Sequence, residues 1–256
     1  MITIVENLVQ MQKEFLKYIE KLFGKNLLKN KKVFLKPNMG YPKKAPFTTS
    51  IEIIKGIVEE VTNSDAKEIL IGEGSTSTST ALENFKVTGL IDALKEYNVE
   101  FIDLNTQEST EVILENGSKH FLPNLLKEMD LRVSLPVIKY YNDNEGEFFL
   151  SNAIKNFFGL PPKEKYQIER GSYKRDNLHS NLHQSVAEIF QAVEKFSPFH
   201  IYVCDGFLTL FGFADEGKPE EWGKILLADN AIEADEKILE IMDKPLPRYL
   251  KILTRK

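Results

Sequence analysis

A strand–helix–strand unit near the N-terminus constrains the fold more than any other feature of this sequence. Val33 to Leu35 is a short apolar run that stops at Lys36-Pro37-Asn38, which indicates a buried strand ending in a turn. Thr49-Ser50-Ile51-Glu52 has the spacing of a capping box and begins a helical period. Glu68 to Ile71 is a second apolar run. Two strands joined by a helix over about 30 residues are typical of a parallel βαβ unit with a right-handed crossover.

The same alternation of helix and strand patterns continues along the chain. Apolar residues at helical spacing predict amphipathic helices over 6–23, 81–97 with a break near Thr88-Gly89, 182–196 and 230–242. Further strands are expected at 99–103, 131–135, 199–203 and 224–227, and Asn116-Gly117 predicts a hairpin turn between 110–114 and 118–121. We therefore predict an α/β fold, a mostly parallel, Rossmann-like sheet flanked by helices, with an antiparallel hairpin excursion.

The division into domains follows from the lack of any linker. No shift of composition separates one part of the chain from another, so a single α/β domain over 1–256 is expected. Two lobes, 1–130 and 131–256, are the alternative division. Residues 137–177 carry no clear period, and we expect long functional loops there around a short helix near 151–158.

Charge and cysteine content exclude several classes of protein. The 33 basic and 38 acidic side chains give a net charge of −5, which argues against a broad nucleic-acid footprint but leaves room for a basic anion pocket. The single cysteine, Cys204, cannot form an internal disulfide, and iron–sulfur clusters normally take four cysteine ligands. No apolar stretch approaches the about 20 residues that span a bilayer. A cytoplasmic protein without membrane contact or iron–sulfur cluster is expected.

Polar residues at the ends of the expected strands are the first candidates for a site. In open parallel sheets, ligands bind beyond the carboxyl ends of the strands. The residues found there are Lys36, Asn38, Glu73, Asp103, Lys139, Asp205 and Asp229. An aspartate at a strand end is also a common helix cap or turn residue, so each position has a structural explanation as well. As a set, these residues indicate a functional cleft.

Two further patterns could bind a ligand. The loop that begins Gly72-Glu73-Gly74-Ser75 combines glycines, hydroxyls and a following helix, which favours an anion. It matches neither a dinucleotide fingerprint nor a P-loop, and a solvated loop with a helix cap is the alternative. His179 and His183 lie four residues apart, as two metal ligands on one helix face would. Ordinary helix-surface or capping contacts are the alternative for this pair.

Several of these motifs together resemble the domain-of-unknown-function 362 (DUF362) family. They are Phe34-Leu-Lys-Pro-Asn38, Gly72-Glu73-Gly74, Leu135-Pro-Val-Ile-Lys139, Ala153-Ile-Lys-Asn-Phe-Phe-Gly159, Cys204-Asp-Gly206 with Gly212, and Ala228 to Asp235. The resemblance implies an α/β protein with site residues at Lys36, Asn38, Lys139, Lys155, Asn156, Asp205 and Asp229, and His179 is similar to a family histidine. Many members carry an iron–sulfur module, which this sequence with its one cysteine lacks. Tyr140-Tyr141 also stand where members commonly have a histidine.

Three functions remain open at this stage. In the first, Lys36, Lys139 and Lys155 neutralise a small phosphate or carboxylate substrate, and Asp205 acts as a base. Asp205 and Asp229 would hold a divalent cation such as Mg²⁺. Ligand contacts are expected from Asn38, Gly72, Glu73, Gly74, Ser75, Asn156 and His179. In the second, the same pocket belongs to a binding or accessory protein without turnover. In the third, the chain is a redox accessory protein that docks a ferredoxin-like partner. A homo-oligomer is compatible with all three.

Overall fold

The computed structural model describes residues 1–143, 146–168, 175–212 and 217–255. The strands are β1 Ile2–Val5, β2 Lys32–Pro37, β3 Glu68–Glu73, β4 Val99–Asp103, β5 Ser109–Ile113, β6 Lys119–Pro123, β7 Leu131–Leu135, β8 Val137–Asn142, β9 Phe148–Ser151, β10 Ile201–Phe211 and β11 Lys218–Ala228. The helices are α1 Leu8–Phe23, α2 Ile51–Asn63, α3 Ala81–Thr88, α4 Leu90–Ala93, α5 Asp176–His179, α6 Leu182–Phe196, α7 Ala231–Ile241 and α8 Arg248–Thr254.

The main sheet has the order β1-β11-β10-β7-β2-β3-β4, and its run from β10 to β4 is parallel. Beyond the end of β7, β8 takes over the parallel pairing with β10, and β9 returns antiparallel to β8. β5 and β6 form the separate antiparallel hairpin. The predicted α/β fold with a mostly parallel sheet and a hairpin excursion is confirmed. The central strands are buried on both faces, as expected for parallel strands between helix layers.

Side-chain alternation sends successive residues of each strand into two separate cores. Val33 and Leu35 pack with α1 and α2 on one face, and Phe34 packs with α6 to α8 on the other. The same period of two places Lys36 on the face of Phe34. In β10, Cys204 lies in the same core as Phe34. Asp205 therefore points to the opposite face of the sheet, towards α2. This alternation decides which strand-end side chains can meet in one cleft.

Local sequence signals account for most of the helix and strand positions. Gly89 at φ +89° lies between α3 and α4, as the expected break required. The predicted capping box at Thr49 to Glu52 does not form: the helix is capped at Ser50, and the Thr49 hydroxyl donates to the Leu135 carbonyl and accepts from the Asn38 amide instead. In the stretch expected to be loops, the structure has the β8–β9 hairpin and a 3-10 helix at Lys155–Gly159. None of the helices in the described ranges is both long and apolar enough to cross a bilayer.

Candidate functional site

A cavity of about 720 Å³ lies beyond the carboxyl ends of β2 and β3, where β8, β9 and the Lys155–Gly159 helix close over the sheet edge. Because β2, β3 and β7 are parallel, their carboxyl ends meet at this edge. Most of the residues expected to form the site line it: Lys36, Asn38, Glu73, Gly74, Lys139, Lys155, Asn156 and His179. The residues marked by strand ends and by the family motifs therefore lie around one cavity.

Lys36 and Glu73 form a buried ion pair at the floor of the cavity. Lys36 Nζ donates to Glu73 Oε1 at 2.8 Å and to the Pro37 carbonyl at 3.2 Å. Both side chains are almost fully shielded from solvent. Burial lowers the pKa of Lys36 below the ordinary lysine value, and Glu73 opposes this shift. The charge of Lys36 is thus already compensated by the protein.

Backbone donors hold Glu73 in place, and the backbone at Gly159 packs closely against it. The Gly74 amide donates to Glu73 Oε1 at 2.8 Å, and the Met39 amide donates to Oε2 at 2.9 Å. A Cβ added at Gly159 would lie 2.2 Å from Glu73 Oε1. Glycine is therefore needed at position 159, because the backbone of the Lys155–Gly159 helix lies too close to the ion pair for a side chain. Together with Lys36, these two amides fix the orientation of the Glu73 carboxylate.

Lys139 is buried in the wall of the cavity without an ion-pair partner among the described residues. Its Nζ donates to the Phe47 carbonyl and, at 3.4 Å, to Asn38 Oδ1. Desolvation by burial lowers the pKa of Lys139 to about 7, and the neighbouring charge of Lys155 acts in the same direction. At neutral pH this amine therefore exchanges its proton readily.

Lys155 presents its ammonium to the cavity against an aromatic wall. Its Nζ lies 5.1 Å from the ring centre of Phe158 and 5.8 Å from that of Phe149, in cation–π geometry. It forms no hydrogen bond or ion pair with any described residue. Desolvation lowers the pKa of Lys155 to about 8, and the charges of Arg175 and Lys36 add to this effect.

Arg175 is a fourth cation, buried behind the lining residues Gly74 and Gly159, that sequence reasoning missed. It is fully buried, and its guanidinium donates to the carbonyls of Pro161, Gly74 and Gly159 and to Asn105 Oδ1. Its Nη1 has no partner in the described part of the chain. Desolvation lowers the pKa of Arg175 to about 10. An arginine in a stretch without period carries no sequence signal that it will be buried.

Asn156 and His179 complete the cavity through defined hydrogen bonds. Asn156 Nδ2 donates to the Lys36 carbonyl and to Ser134 Oγ, both at 3.0 Å, so it ties the 3-10 helix to the sheet. His179 Nδ1 lies 2.9 Å from the Arg175 carbonyl and must donate to it. In the neutral ring, Nε2 of His179 then carries the lone pair.

The loop after β3 does not form the anion cradle that its composition suggested. Ser75 lies outside the cavity lining, and its hydroxyl donates to the Gly40 carbonyl. The amides at the start of α3 are already taken, because Ala81 donates to Asp103 Oδ2 and Glu83 donates to Thr80 Oγ1. Gly72 has a packing role, since an added Cβ would lie 2.7 Å from the Phe34 ring. Of this loop, Gly74 and Thr76 line the cavity.

The structure does not bring Asp205 and Asp229 together. Asp205 Oδ2 accepts from the Ser50 amide at 2.7 Å on the α2 face, away from the cavity. β11 runs antiparallel to β10, so its carboxyl end lies at the opposite edge of the sheet. There Asp229 pairs with Lys21 at 2.7 Å and with the amino group of Met1. A shared divalent-cation site at this pair does not form, because the strand-end rule assumed a parallel β11.

A different group of acidic and histidine residues lies beside the cavity. Ligand atoms of Asp143, Glu147 and His183 lie within 4.8 Å of one another. His183 Nε2 is 3.4 Å from Asp143 Oδ2 and 3.2 Å from Glu147 Oε2, which is also 3.1 Å from Arg248 Nε. His183 Nδ1 accepts from the Tyr249 amide, so the proton of the neutral ring is on Nε2, facing the carboxylates. A histidine that binds a metal usually donates through its other nitrogen, and this one accepts.

The family model described as "Domain of unknown function (DUF362)" matches residues 33–240, which include every cavity-lining residue named above. The chain belongs to the DUF362 family. The search of curated proteins found no match.

Solved structures confirm the fold. The DUF362 chain is similar to a protein of Thermotoga maritima, with a TM-score of 0.56 and 14% identity over 93% of this chain and 59% of that one. It is also similar to the lactate racemase apoprotein of Thermoanaerobacterium thermosaccharolyticum, with a TM-score of 0.56 and 16% identity over 92% and 55% of the two chains. The chain thus spans little more than half the length of either structure.

Proposed function

We propose that this DUF362 protein binds a small anion, a carboxylate or phosphate compound, in the cavity at the carboxyl edge of its sheet. The supporting observation is that Lys139 and Lys155 line it without an ion-pair partner among the described residues, while the carboxylate at the cavity floor, Glu73, is already paired with Lys36. Shielded cations without a counter-charge are unfavourable, and an anionic ligand would supply one. The cations would therefore hold the ligand by charge-assisted hydrogen bonds.

The size and lining of the cavity favour a small organic anion. A volume of about 720 Å³ lies within the usual range of small-molecule sites. Phe158, Tyr141 and Leu182 supply apolar surface to the cavity wall. The racemase among the similar structures is named for lactate, a small carboxylate of this class, and lactate is therefore a suitable probe.

The two titratable lysines give the site acid–base capacity as well as charge. The pKa values of Lys139 and Lys155, about 7 and about 8, bracket neutral conditions. Groups with pKa values near the working pH are the effective general acids and bases. The proposed activity is therefore the binding of a small anion with proton transfer to or from it.

Calorimetric titration with lactate, phosphate and pyruvate tests the proposal. Lys155→Met removes the charge and keeps the length, and we expect roughly 10- to 100-fold weaker binding, because a hydrogen bond to a charged group is worth about 1.5–3 kcal/mol. The matched control is Lys119→Met, on the exposed hairpin strand β6, which should leave the affinity unchanged. Equal affinities of the wild type and Lys155→Met, or equal losses in both variants, would contradict the proposal.

For the acidic cluster we propose a structural role. Asp143 and Glu147 flank the connection between β8 and β9, His183 belongs to α6, and Arg248 belongs to α8. The ion pairs tie this connection to both helices next to the cavity mouth. A divalent cation would require His183 to give up either its Nε2 proton or the Tyr249 hydrogen bond. The accessory and ferredoxin-partner hypotheses remain predictions that no arrangement of the described residues favours.

A further inference from the structure

The hydrogen bonding of Lys139 differs from that of an ordinary lysine. Its Nζ has two acceptors in the described structure, the Phe47 carbonyl and Asn38 Oδ1. An ammonium has three N–H groups to donate, whereas a neutral amine has two and one lone pair. Two acceptors thus satisfy the neutral amine completely. Since both acceptors belong to the segment between β2 and α2, the third direction of the nitrogen is left to the cavity that Lys139 lines.

The surroundings favour the neutral form of this amine. No described carboxylate pairs with Lys139, and Lys155 adds a like charge nearby. With a pKa of about 7, about half of the Lys139 amines are neutral at pH 7, and this fraction is roughly a thousandfold larger than for a lysine of ordinary pKa. A lysine that is desolvated beside a second cation is the usual form of a nucleophilic amine.

We propose that Lys139 is a nucleophile that forms a Schiff base with the carbonyl carbon of a small 2-oxo acid held in this cavity. This inference rests on the proposed anion binding, because Lys155 would hold the carboxylate of the same molecule. A 2-oxo acid places its carbonyl next to its carboxylate, so one compact ligand would meet both the Lys155 ammonium and the Lys139 amine. The ligand class is thereby narrowed from small anions to small carboxylates that carry an adjacent ketone or aldehyde.

The step needs no reactant beyond the amine and the oxo acid. The Nζ lone pair attacks the carbonyl carbon, and the carbonyl oxygen takes a proton to give a carbinolamine. The carbon–oxygen bond then breaks, and the two amine hydrogens leave with that oxygen as water, while a C=N bond forms. Lys155 can supply the proton to the departing hydroxyl and recover one afterwards, since its pKa of about 8 lies near neutrality.

The other two cavity lysines are poorer nucleophiles for structural reasons. Lys36 Nζ has three acceptors, Glu73 Oε1 at 2.8 Å, the Pro37 carbonyl and Asn156 Oδ1, so no direction of the nitrogen is left for a ligand. Lys155 lies over two aromatic rings, which stabilise the charged form. The geometry therefore singles out Lys139.

Reductive trapping tests the inference directly. The full-length protein is incubated with pyruvate and sodium cyanoborohydride, which reduces an imine to a stable amine, and the adduct is located by peptide mapping. We expect one reduced pyruvyl group on Lys139 of the wild type and no adduct with lactate, which has no carbonyl. Lys139→Arg should lose the adduct, and the surface control Lys119→Arg should keep it.

A second readout separates a reactive amine from a merely accessible one. Lys155→Met removes the neighbouring charge, which raises the pKa of Lys139, so at pyruvate concentrations that saturate the variant the pH at which trapping reaches half its maximum should rise. Adduct on Lys155, Lys36 or surface lysines in place of Lys139, or no adduct at all while lactate and pyruvate still bind, overturns the inference and leaves the anion-binding proposal intact. Failure of lactate, pyruvate and phosphate to bind overturns the anion-binding proposal. The wild-type peptide map keeps the test independent of whether any variant folds.

Discussion

Removing the negative charge of Glu73 tests the electrostatics of the cavity floor. Glu73→Gln keeps the side-chain shape and leaves Lys36 buried without a counter-charge. At 2.8 Å between Lys36 Nζ and Glu73 Oε1, an effective dielectric constant of about 20 gives an attraction of about 6 kcal/mol. Lys36 limits the loss by releasing its proton, and neutralising a lysine of pKa about 10.4 at pH 7 costs about 5 kcal/mol. We therefore expect the free energy of unfolding to fall by about 3–5 kcal/mol.

The pH dependence of this loss distinguishes a buried charge from a packing defect. In the variant, Lys36 is neutral when folded and protonated when unfolded, so the unfolded state binds more protons and stability rises with pH. At pH 9 the cost of neutralisation is only about 2 kcal/mol, so the gap between variant and wild type should narrow. In contrast, a cavity or a lost packing contact would cost the same at both pH values.

Urea unfolding followed by circular dichroism at pH 7 and pH 9 measures both quantities. The matched double variant, Lys36→Met with Glu73→Gln, should be more stable than Glu73→Gln alone, because no unpaired charge remains. A loss below about 1 kcal/mol at pH 7, the value typical of an exposed pair, would refute the reasoning. So would an equal loss at pH 7 and pH 9.

Three further predictions concern the surroundings of the cavity. Gly159→Ala places a Cβ 2.2 Å from Glu73 Oε1, so we expect a loss of about 1–3 kcal/mol in urea unfolding, and wild-type stability would contradict the close approach. Asp205→Ala leaves the buried Ser50 amide and hydroxyl without their acceptor and should lower the free energy of unfolding by about 2 kcal/mol. The calorimetric affinity for lactate should stay unchanged, because Asp205 lies outside the cavity. Mg²⁺ or Mn²⁺ should not raise the melting temperature at constant ionic strength, because His183 presents its Nε2 proton to Asp143 and Glu147. A rise in melting temperature that Asp143→Asn abolishes would show a metal site.

Local patterns in the sequence are sufficient for most of the regular structure. The helical spacing of apolar residues places α6 at 182–196, and Asn116-Gly117 places the turn between β5 and β6. Gly89 marks the break after α3 because a left-handed backbone conformation there favours glycine. These features depend on short-range sterics and on a face that must be buried, which neighbouring residues alone can specify.

Which residues line the cleft can be predicted partly from the sequence and depends partly on strand direction. Lys36, Glu73 and Lys139 could be placed together, because parallel strands end at one edge and family motifs mark the same positions. Strand ends and motifs did not show that Asp229 lies outside the cleft. The reason is that the direction of β11 is set by its antiparallel pairing with β10. Asp205 is likewise directed to α2 by its position in the alternation of β10.

The sequence by itself determined the α/β class, the positions of most helices and strands, and the family, because these follow from periodicity and from short motifs. Only the tertiary structure decided which charges face one another. Arg175 lies behind the cavity because it donates to the carbonyls of Gly74 and Gly159, and Glu73 is paired with Lys36 because β2 and β3 are neighbours. Charge pairing and desolvation depend on distances between residues far apart in the chain, and the order of residues does not contain those distances.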